Sequence, residues 1–190
     1  MLSPQMDHSD VRASHYEDHG FWTHERLGWQ VFDAERHPDR EFVTGDTRWT
    51  YGEFASWALA VADNMVKAGV QRGDHVLIQL PNRIEALPAQ AAALRIGAVN
   101  VPTMPIYREH ELALIIHDCT PRTVFSMRVS KTRSPAEELD AILANGTWGT
   151  VIRYCVDAVE GDGTGWRQFP QPGRPVPASP GQAPGLGDAR

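Results

Sequence analysis

The sequence has few of the features that mark secreted or membrane-spanning proteins. Its 190 residues include only two cysteines, Cys119 and Cys155. Two are too few for a disulfide framework, so we expect reduced thiols and a cytoplasmic location. No apolar run approaches the roughly 18 residues that a membrane-spanning helix needs, so we expect no membrane span. The beginning of the chain is polar and holds no apolar segment of signal-peptide length.

Positive charge is also scarce. Lys and Arg number 18 against 24 Asp and Glu, which gives a net charge of −6. Because a surface of this sign repels phosphate groups, we expect no nucleic-acid partner and no attraction to anionic membranes. Hydrophobic residues make up 42% of the chain, enough for the core of one domain at this length.

Composition divides the chain into three parts. Residues 1–20 form a polar lead-in, and apolar side chains begin to recur at roughly helical spacing from Phe21 onward. Residues 169–190 are rich in proline and glycine, cannot pack a core and are expected to be a disordered tail. The packed domain is therefore predicted between residues 21 and 168.

The central part of the chain alternates between short apolar runs and helical patterns. Such alternation predicts an α/β fold, with a parallel sheet that is covered by helices on both faces. A small β-hairpin around Gly45 and Asp46 is predicted ahead of it from "EFVTGDTRWTY". The strands of the sheet are predicted at residues 75–80, 98–102, 122–127 and 150–156.

Local signals predict where the intervening helices begin. Thr50 and Glu53 have the spacing of a capping box before an apolar helix. Asn82 with Glu85 repeats that spacing before the next helix. Pro88 lies inside this second helix, where a missing backbone N–H predicts a kink or a late start.

Two groups of histidines could belong to a functional site, the first as metal ligands and the second as the rim of a site. An i,i+4 pair on a helix could hold a metal ion. The first group, however, has polar surroundings and no evident third ligand, so we interpret it as a solvated face. The second group lies on one helix beside acidic residues, and we interpret it as surface packing rather than the rim of a site. The first group is His15, His19 and His24, and the second is His110 and His117 beside Glu109 and Asp118.

The remaining motifs favour structural roles. The glycine-rich stretch at residues 161–165 follows a strand but leads into no helix, which favours a plain turn over a phosphate cradle. Neither cysteine has a nearby histidine in a nucleophile arrangement, so both are interpreted as small core residues. We therefore predict no catalytic, cofactor-binding or metal-binding residue in this chain.

Three segments, taken in order, resemble the N-terminal part of one family, the adenylate-forming ligases, which include the AMP-forming acyl-CoA synthetases. They are "RHPDREFVTGDTRWTYGEF", "GVQRGDHVLIQLPNRIEAL" and "ALRIGAVNVPTMPIYREHELALIIHD", all within residues 21–118. The third segment is most similar in sequence to ligases for cyclic or aromatic acids, such as cyclohexanecarboxylate–CoA ligase. The resemblance implies that residues 21–168 are part of the N-terminal domain of such a ligase.

The resemblance also implies a reaction. In this family a carboxylate and ATP form an acyl-adenylate and pyrophosphate, and coenzyme A then displaces AMP; the full-length protein would use ATP, Mg²⁺ and coenzyme A. The family's phosphate loop, a Thr/Ser/Gly-rich stretch that ends in lysine, and its C-terminal lysine have no counterpart before Arg190. We therefore expect an N-terminal fragment, from a truncated or interrupted gene, without adenylation activity of its own.

Two other functions stay open. The chain could be a stand-alone, non-catalytic module that binds a partner ligase or a small acid through the loop from Pro102 to Tyr107. It could also be a small nucleotide-binding protein of the doubly wound class, although it lacks a glycine fingerprint after its first strand. For the fragment, the expected partners are the missing remainder of the ligase, or a second copy bound through an exposed apolar surface.

Overall fold

The computed structural model describes residues 11–22, 37–43, 48–146, 148–158 and 163–171. None of the helices in these ranges combines the length and the apolar character that crossing a membrane requires. In chain order the elements are α1 Val11–Asp18, β1 Glu41–Val43, β2 Trp49–Thr50, α2 Tyr51–Lys67, β3 His75–Ile78, α3 Ala86–Ile96, β4 Val99–Pro102, α4 Glu109–Cys119, β5 Thr123–Ser126, α5 Pro135–Ala144, β6 Ile152–Cys155 and β7 Arg167–Gln168.

The main sheet has five strands in the order β4-β3-β5-β6-β7, and every neighbouring pair is parallel. Val76 of the central strand β3 pairs with Asn100 of β4 on one side and with Thr123 of β5 on the other. The chain thus steps from β3 out to β4 and then returns past β3 to β5. The point where the direction of strand addition reverses therefore lies between β3 and β5.

Helices cover both faces of this sheet, which confirms the predicted α/β fold. On one face, α2 and α3 pack on the side chains of Val76, Phe125 and Tyr154. On the other face, α4 and α5 pack on Leu77 and Val124. Alternate residues of each strand serve the two cores because successive side chains of a strand point to opposite faces.

The small hairpin is also confirmed. β1 and β2 pair antiparallel, with Glu41 opposite Thr50, and the turn between them lies outside the described residues. Arg48 and Glu41 form a salt bridge of 3.0 Å across the pair. Phe42 stacks on Phe54 at 4.1 Å between ring centroids, so the hairpin packs against α2.

The predicted start of α2 is confirmed and the predicted start of α3 is wrong. The hydroxyl of Thr50 accepts from the Glu53 amide, and the Glu53 carboxylate accepts from the Thr50 amide, so the capping box is complete. No side chain caps α3, because the Glu85 carboxylate pairs with Arg83 instead. Pro88 is the third residue of α3. The N–H groups of a helix's first turn have no partner within the helix, so the N–H that proline lacks costs no hydrogen bond here. Of the two predicted outcomes, a kink or a late start, the late start is observed.

Both ends of the domain differ from the prediction. Residues 11–18 of the predicted polar lead-in form helix α1, whereas most of the helix predicted from Phe21 lies outside the described residues. The turn at Gly163–Gly165 leads into a fifth strand, β7, that the sequence analysis did not predict. Phe169, assigned to the tail, is fully buried in the core under α2 and α3, so the packed domain continues past residue 168.

The polar residue inside β4 has a structural explanation. Asn100 lies on an edge strand, where its side-chain amide donates to the Gln90 carbonyl of α3 at 3.1 Å. The bond ties the edge of the sheet to the helix that precedes it. A polar side chain is therefore accommodated in β4 because its amide group has a backbone partner in α3.

Candidate functional site

The carboxyl ends of the parallel strands meet at one edge of the sheet, which we call the carboxyl edge. It is formed by residues 79–85, 103–108, 127–134 and 156–158, which follow β3, β4, β5 and β6. Ligands of open α/β sheets bind at this edge, near the point where strand order reverses. The carboxyl edge is therefore the candidate location of a functional site.

A clamp of hydrogen bonds holds the loop after β4, Pro102–Tyr107, which we call the strand-end loop. The Arg133 guanidinium donates to the Pro105 carbonyl at 2.7 Å and to the Tyr107 carbonyl at 2.8 Å. The Gln79 side-chain amide donates to the same Tyr107 carbonyl at 3.1 Å. The loop is thus fixed through its backbone, by one side chain from the residue after β3 and one from the segment before α5.

The Arg133 side chain is itself held by Glu138 of α5. The two groups form a fork, with one bond of 3.0 Å from the Arg133 Nε and a second, shorter one from Nη2. This pairing lowers the pKa of the Glu138 carboxyl and raises that of the Arg133 guanidinium. Because guanidinium and carboxylate are both planar, two parallel bonds orient the arginine toward the loop.

The clamped loop presents apolar side chains to solvent. Met104 is 53% exposed and Ile106 is 70% exposed, and Val129 of the neighbouring loop is also exposed. The bonds from Arg133 and Gln79 anchor the backbone on both sides of Ile106, and the Thr103 amide, which bonds to the Ile78 carbonyl, anchors it before Met104. The carboxyl edge therefore offers a small, ordered apolar surface.

The reversal point between β3 and β5 is occupied by a charge cluster. Arg83 and Glu85 form a salt bridge of 2.8 Å in which the Glu85 side chain is largely buried. Burial is the largest single influence on Glu85 and would raise its pKa, but the bond and charge of Arg83 together with a backbone hydrogen bond outweigh it, so the pKa is lowered. Asp157, after β6, lies close enough for its charge to act on both residues.

Asp157 is fixed by its own hydrogen bonds. Its carboxylate accepts from the amide of Arg128 at 2.5 Å, from the amide of Val129 at 3.2 Å and from the Cys155 thiol at 3.0 Å. Burial would raise the pKa of Asp157, but these bonds together lower it. Asp157 thereby holds the loop after β5 in the same way that Arg133 holds the loop after β4.

The described part of the carboxyl edge does not fit a nucleotide phosphate. Glu85 stands at the N-terminus of α3, and its carboxylate and that of Asp157 would repel an anion there. The glycine turn at residues 163–165 leads into strand β7, so its amides do not converge at a helix start. Nor do the described residues bring together three or more side chains suited to a metal ion.

The two cysteines are free thiols, and both have a raised pKa. Burial, together with the Asp157 carboxylate, raises the pKa of the Cys155 thiol to about 12. Cys155 lies in the core under α4 and α5, as predicted. Cys119 is only partly buried at the end of α4, and burial raises its pKa as well. A thiol with a raised pKa is a poor nucleophile, so neither residue is a catalytic candidate.

Of the two histidine groups discussed above, the members that the structure describes are at the surface, as predicted. His110 is exposed on α4. His117 lies 3.6 Å from the Asp118 carboxylate, with its ring edge-on to Trp148. His15 on α1 and His19 in the turn directly after it are exposed with their rings in contact, and His24 lies outside the described residues.

The clamp and the charge cluster were not predicted from the sequence. Only Gln79 gave a signal, since a polar residue directly follows the apolar run of β3 and is 2% exposed. Its Oε1 atom and the hydroxyl of Ser126 are buried without a hydrogen-bond partner among the described residues. Both polar groups lie at the reversal point, where the neighbouring strands β3 and β5 end.

Comparison with known proteins extends the resemblance over most of the chain. A sequence model of the family described as AMP-binding enzyme matches residues 32–183. The medium-chain fatty-acid–CoA ligase of Escherichia coli is 30% identical over 133 residues, which are 68% of this chain and 23% of the relative. Salicylyl-CoA synthase / salicylate adenylyltransferase of a Streptomyces species is 37% identical, over 53% of this chain and 18% of the relative.

The fold comparison agrees with the sequence comparison. The crystal structure of apo MatB from Rhodopseudomonas palustris superimposes with a TM-score of 0.60 at 29% sequence identity. The superposition covers 70% of this chain and 26% of MatB. The chain thus spans about a quarter, or less, of the length of each of these relatives.

Proposed function

Because the chain belongs to the AMP-binding enzyme family, we propose that it forms the N-terminal part of an AMP-forming carboxylic acid–CoA ligase. The observation that carries the proposal is the match over residues 32–183, supported by relatives named as CoA ligases and as an adenylyltransferase. The complete enzyme would join a carboxylic acid to ATP, release pyrophosphate and pass the acyl group from AMP to coenzyme A. A fatty acid and an aromatic acid are the two substrate classes that the relatives suggest.

Within such an enzyme this chain would act as scaffold. Its carboxyl edge carries the Glu85 and Asp157 carboxylates where a nucleotide phosphate would otherwise bind. Stabilisation of phosphoryl transfer depends on positioned positive charge and hydrogen-bond donors. We therefore propose that ATP, Mg²⁺ and coenzyme A are bound by the rest of the ligase, and that this chain alone forms no acyl-adenylate.

The test is ATP–pyrophosphate exchange with a panel of medium-chain, aromatic and cyclohexane carboxylic acids. The purified chain should give no exchange above a no-acid blank, while the full-length Escherichia coli ligase serves as the positive control. Exchange by the chain alone, abolished by omitting the acid, would contradict the proposed inactivity.

A chimera tests the scaffold role itself. The segment of the Escherichia coli ligase that matches this chain is replaced by this chain, and exchange with a medium-chain acid is measured. We expect measurable exchange from a folded, monodisperse chimera. A chimera that is folded, binds ATP and shows no exchange would count against the scaffold role.

One observation favours a second function, that of a non-catalytic binding module. The strand-end loop is clamped at Pro105 and Tyr107 while Met104 and Ile106 project into solvent. An ordered apolar surface of this kind suits a partner ligase or a small acid. The compartment we propose is the cytoplasm, in keeping with two free thiols.

Light scattering after size exclusion, together with thermal unfolding, separates the two functions. A self-sufficient module should be monomeric and should unfold in one cooperative transition. A scaffold piece should self-associate and bind an apolar dye, and Ile106→Asp should reduce both effects. Leu114→Asp, at an exposed apolar residue of α4, is the matched control.

A further inference from the structure

The rings of His15 and His19 lie against each other on the exposed side of α1. His19 directly follows the helix, and its amide still bonds to the His15 carbonyl one turn earlier at 3.2 Å. The two ring centroids are separated by 4.1 Å with an interplanar angle of 44°. Both side chains are exposed. The sequence pattern by itself favoured a solvated face, whereas the structure brings the two imidazole rings into contact.

A backbone hydrogen bond prepares one of these rings to bind a metal. The Nδ1 atom of His19 lies 2.8 Å from the His15 carbonyl oxygen. A carbonyl can only accept, so Nδ1 carries the proton and the lone pair is left on Nε2. Metal-binding histidines commonly make this arrangement, in which the second ring nitrogen donates to a carbonyl and fixes the tautomer.

The geometry suits a two-histidine site. Metal–nitrogen bonds of about 2.0–2.1 Å place two ligating nitrogens about 3 Å apart, a separation compatible with the 4.1 Å between the two ring centroids. We propose that His15 and His19 form a surface site for a borderline divalent transition-metal ion, such as Ni²⁺, Cu²⁺ or Zn²⁺, with water in the remaining positions. Imidazole favours these ions over Mg²⁺ and Ca²⁺, which take oxygen ligands.

An ion at this site would also order the helix that carries it. α1 has eight residues, and a helix of this length is marginal without further contacts. A bond that spans one turn stabilises the helix by mass action when metal is present. Tyr16 stacks on Trp22 at 5.2 Å, and His19 stacks on Phe21 at 6.1 Å. Metal binding would therefore also change the surroundings of these aromatic rings.

Calorimetric titration of the tag-free full chain with Ni²⁺ tests the site, which does not rest on the proposed ligase function. We expect one ion per chain from this site, and an excess of Mg²⁺ should not displace it. His15→Ala or His19→Ala should weaken Ni²⁺ binding at least tenfold. His110→Ala and His117→Ala, on α4, should leave it unchanged.

A spacing variant provides the sharpest control. Combining Glu17→His with His19→Ala keeps the number of histidines but places the pair at i,i+2, where side chains do not share a helix face. This variant should bind Ni²⁺ as weakly as His19→Ala does. Binding that survives either single alanine variant, or that the spacing variant retains, would overturn the site, as would an absence of Ni²⁺ binding by the parent chain.

Discussion

The indole Nε1 of Trp57 donates a hydrogen bond of 2.6 Å to the carbonyl oxygen of Pro170. The bond joins α2 to the segment that follows β7, across more than half of the chain. Phe169, the neighbour of Pro170, meets the Trp57 ring edge-on at 5.9 Å between centroids. The hydrogen bond and the ring contact therefore link α2 to the segment that follows β7.

Replacing Trp57 by phenylalanine should weaken this link while keeping an aromatic ring in the core. We expect a loss of about 1–3 kcal/mol in the free energy of unfolding, from the missing bond and the unsatisfied carbonyl. Urea denaturation followed by circular dichroism measures it. Trp22→Phe, at an exposed tryptophan, should change stability by less than about 0.5 kcal/mol. Equal effects for the two variants would contradict the importance of the Pro170 bond.

The clamp on the strand-end loop should depend on the forked shape of Arg133. Arg133→Lys keeps the charge but cannot bond Pro105, Tyr107 and Glu138 together, so we expect about 1–3 kcal/mol of destabilisation. Hydrogen exchange should accelerate in residues 102–107 more than in β5. Arg48→Lys, at a salt bridge in which Arg48 is 75% exposed, is the control and should be close to neutral.

Gly97 ends α3 in a left-handed conformation, with φ of +75°. An added Cβ would also lie 3.1 Å from the Cγ atom of Arg72. Gly97→Ala should therefore cost about 1–2 kcal/mol, measured as a lower midpoint of urea unfolding. Gly149→Ala, where nothing lies within 4 Å of the new methyl group, should have little effect. A neutral Gly97→Ala would show that the cap can relax.

Acid should destabilise the fold partly through Asp157, because its pKa is lower in the folded state than the usual value of about 3.9. A group of this kind contributes stability above its unfolded pKa and loses it as the pH falls through its folded pKa. Asp157→Asn should therefore flatten the dependence of stability on pH below about pH 5. Asp63→Asn, on the exposed face of α2, should keep the parent's dependence; identical curves for both variants would contradict the assignment.

The two thiols should differ in reactivity. With its pKa raised to about 12, Cys155 has only about one thiolate in ten thousand at pH 8, and it is fully buried. Titration with a chromogenic disulfide should detect at most one thiol in the folded chain, reacting slowly, and two in denaturant. Cys119→Ser should remove the reaction of the folded chain. A folded Cys119→Ser variant that still reacts would show that Cys155 becomes accessible.

The features predicted correctly from the sequence are those set by neighbours along the chain. Thr50 and Glu53 satisfy each other within one helical turn, so their spacing alone specifies the cap. The same spacing failed at Asn82, because the chain turns between Pro81 and Arg83 and the Glu85 carboxylate takes the guanidinium as its partner. Two-residue β7 shows no pattern of its own and exists only because β6 lies beside it.

The candidate site depends on contacts that no local pattern records. Arg133 is far from Pro105 and Tyr107 in sequence, and only the crossing of the sheet by α4 and β5 brings them together. In the same way, α5 and β6 return the chain so that Asp157 meets the loop after β5. Residue type and spacing therefore predicted the sheet and its helices, whereas the clamp became visible only in three dimensions.

The central position of β3 has a consequence for the order of events during synthesis. Val76 leaves the ribosome before Asn100, its first partner, and well before Thr123, its second. At roughly 5–20 residues per second, the strand waits several seconds for its second neighbour. During that interval an apolar strand that the folded domain buries is without its second neighbour, so we expect chaperone binding to matter most at this stage.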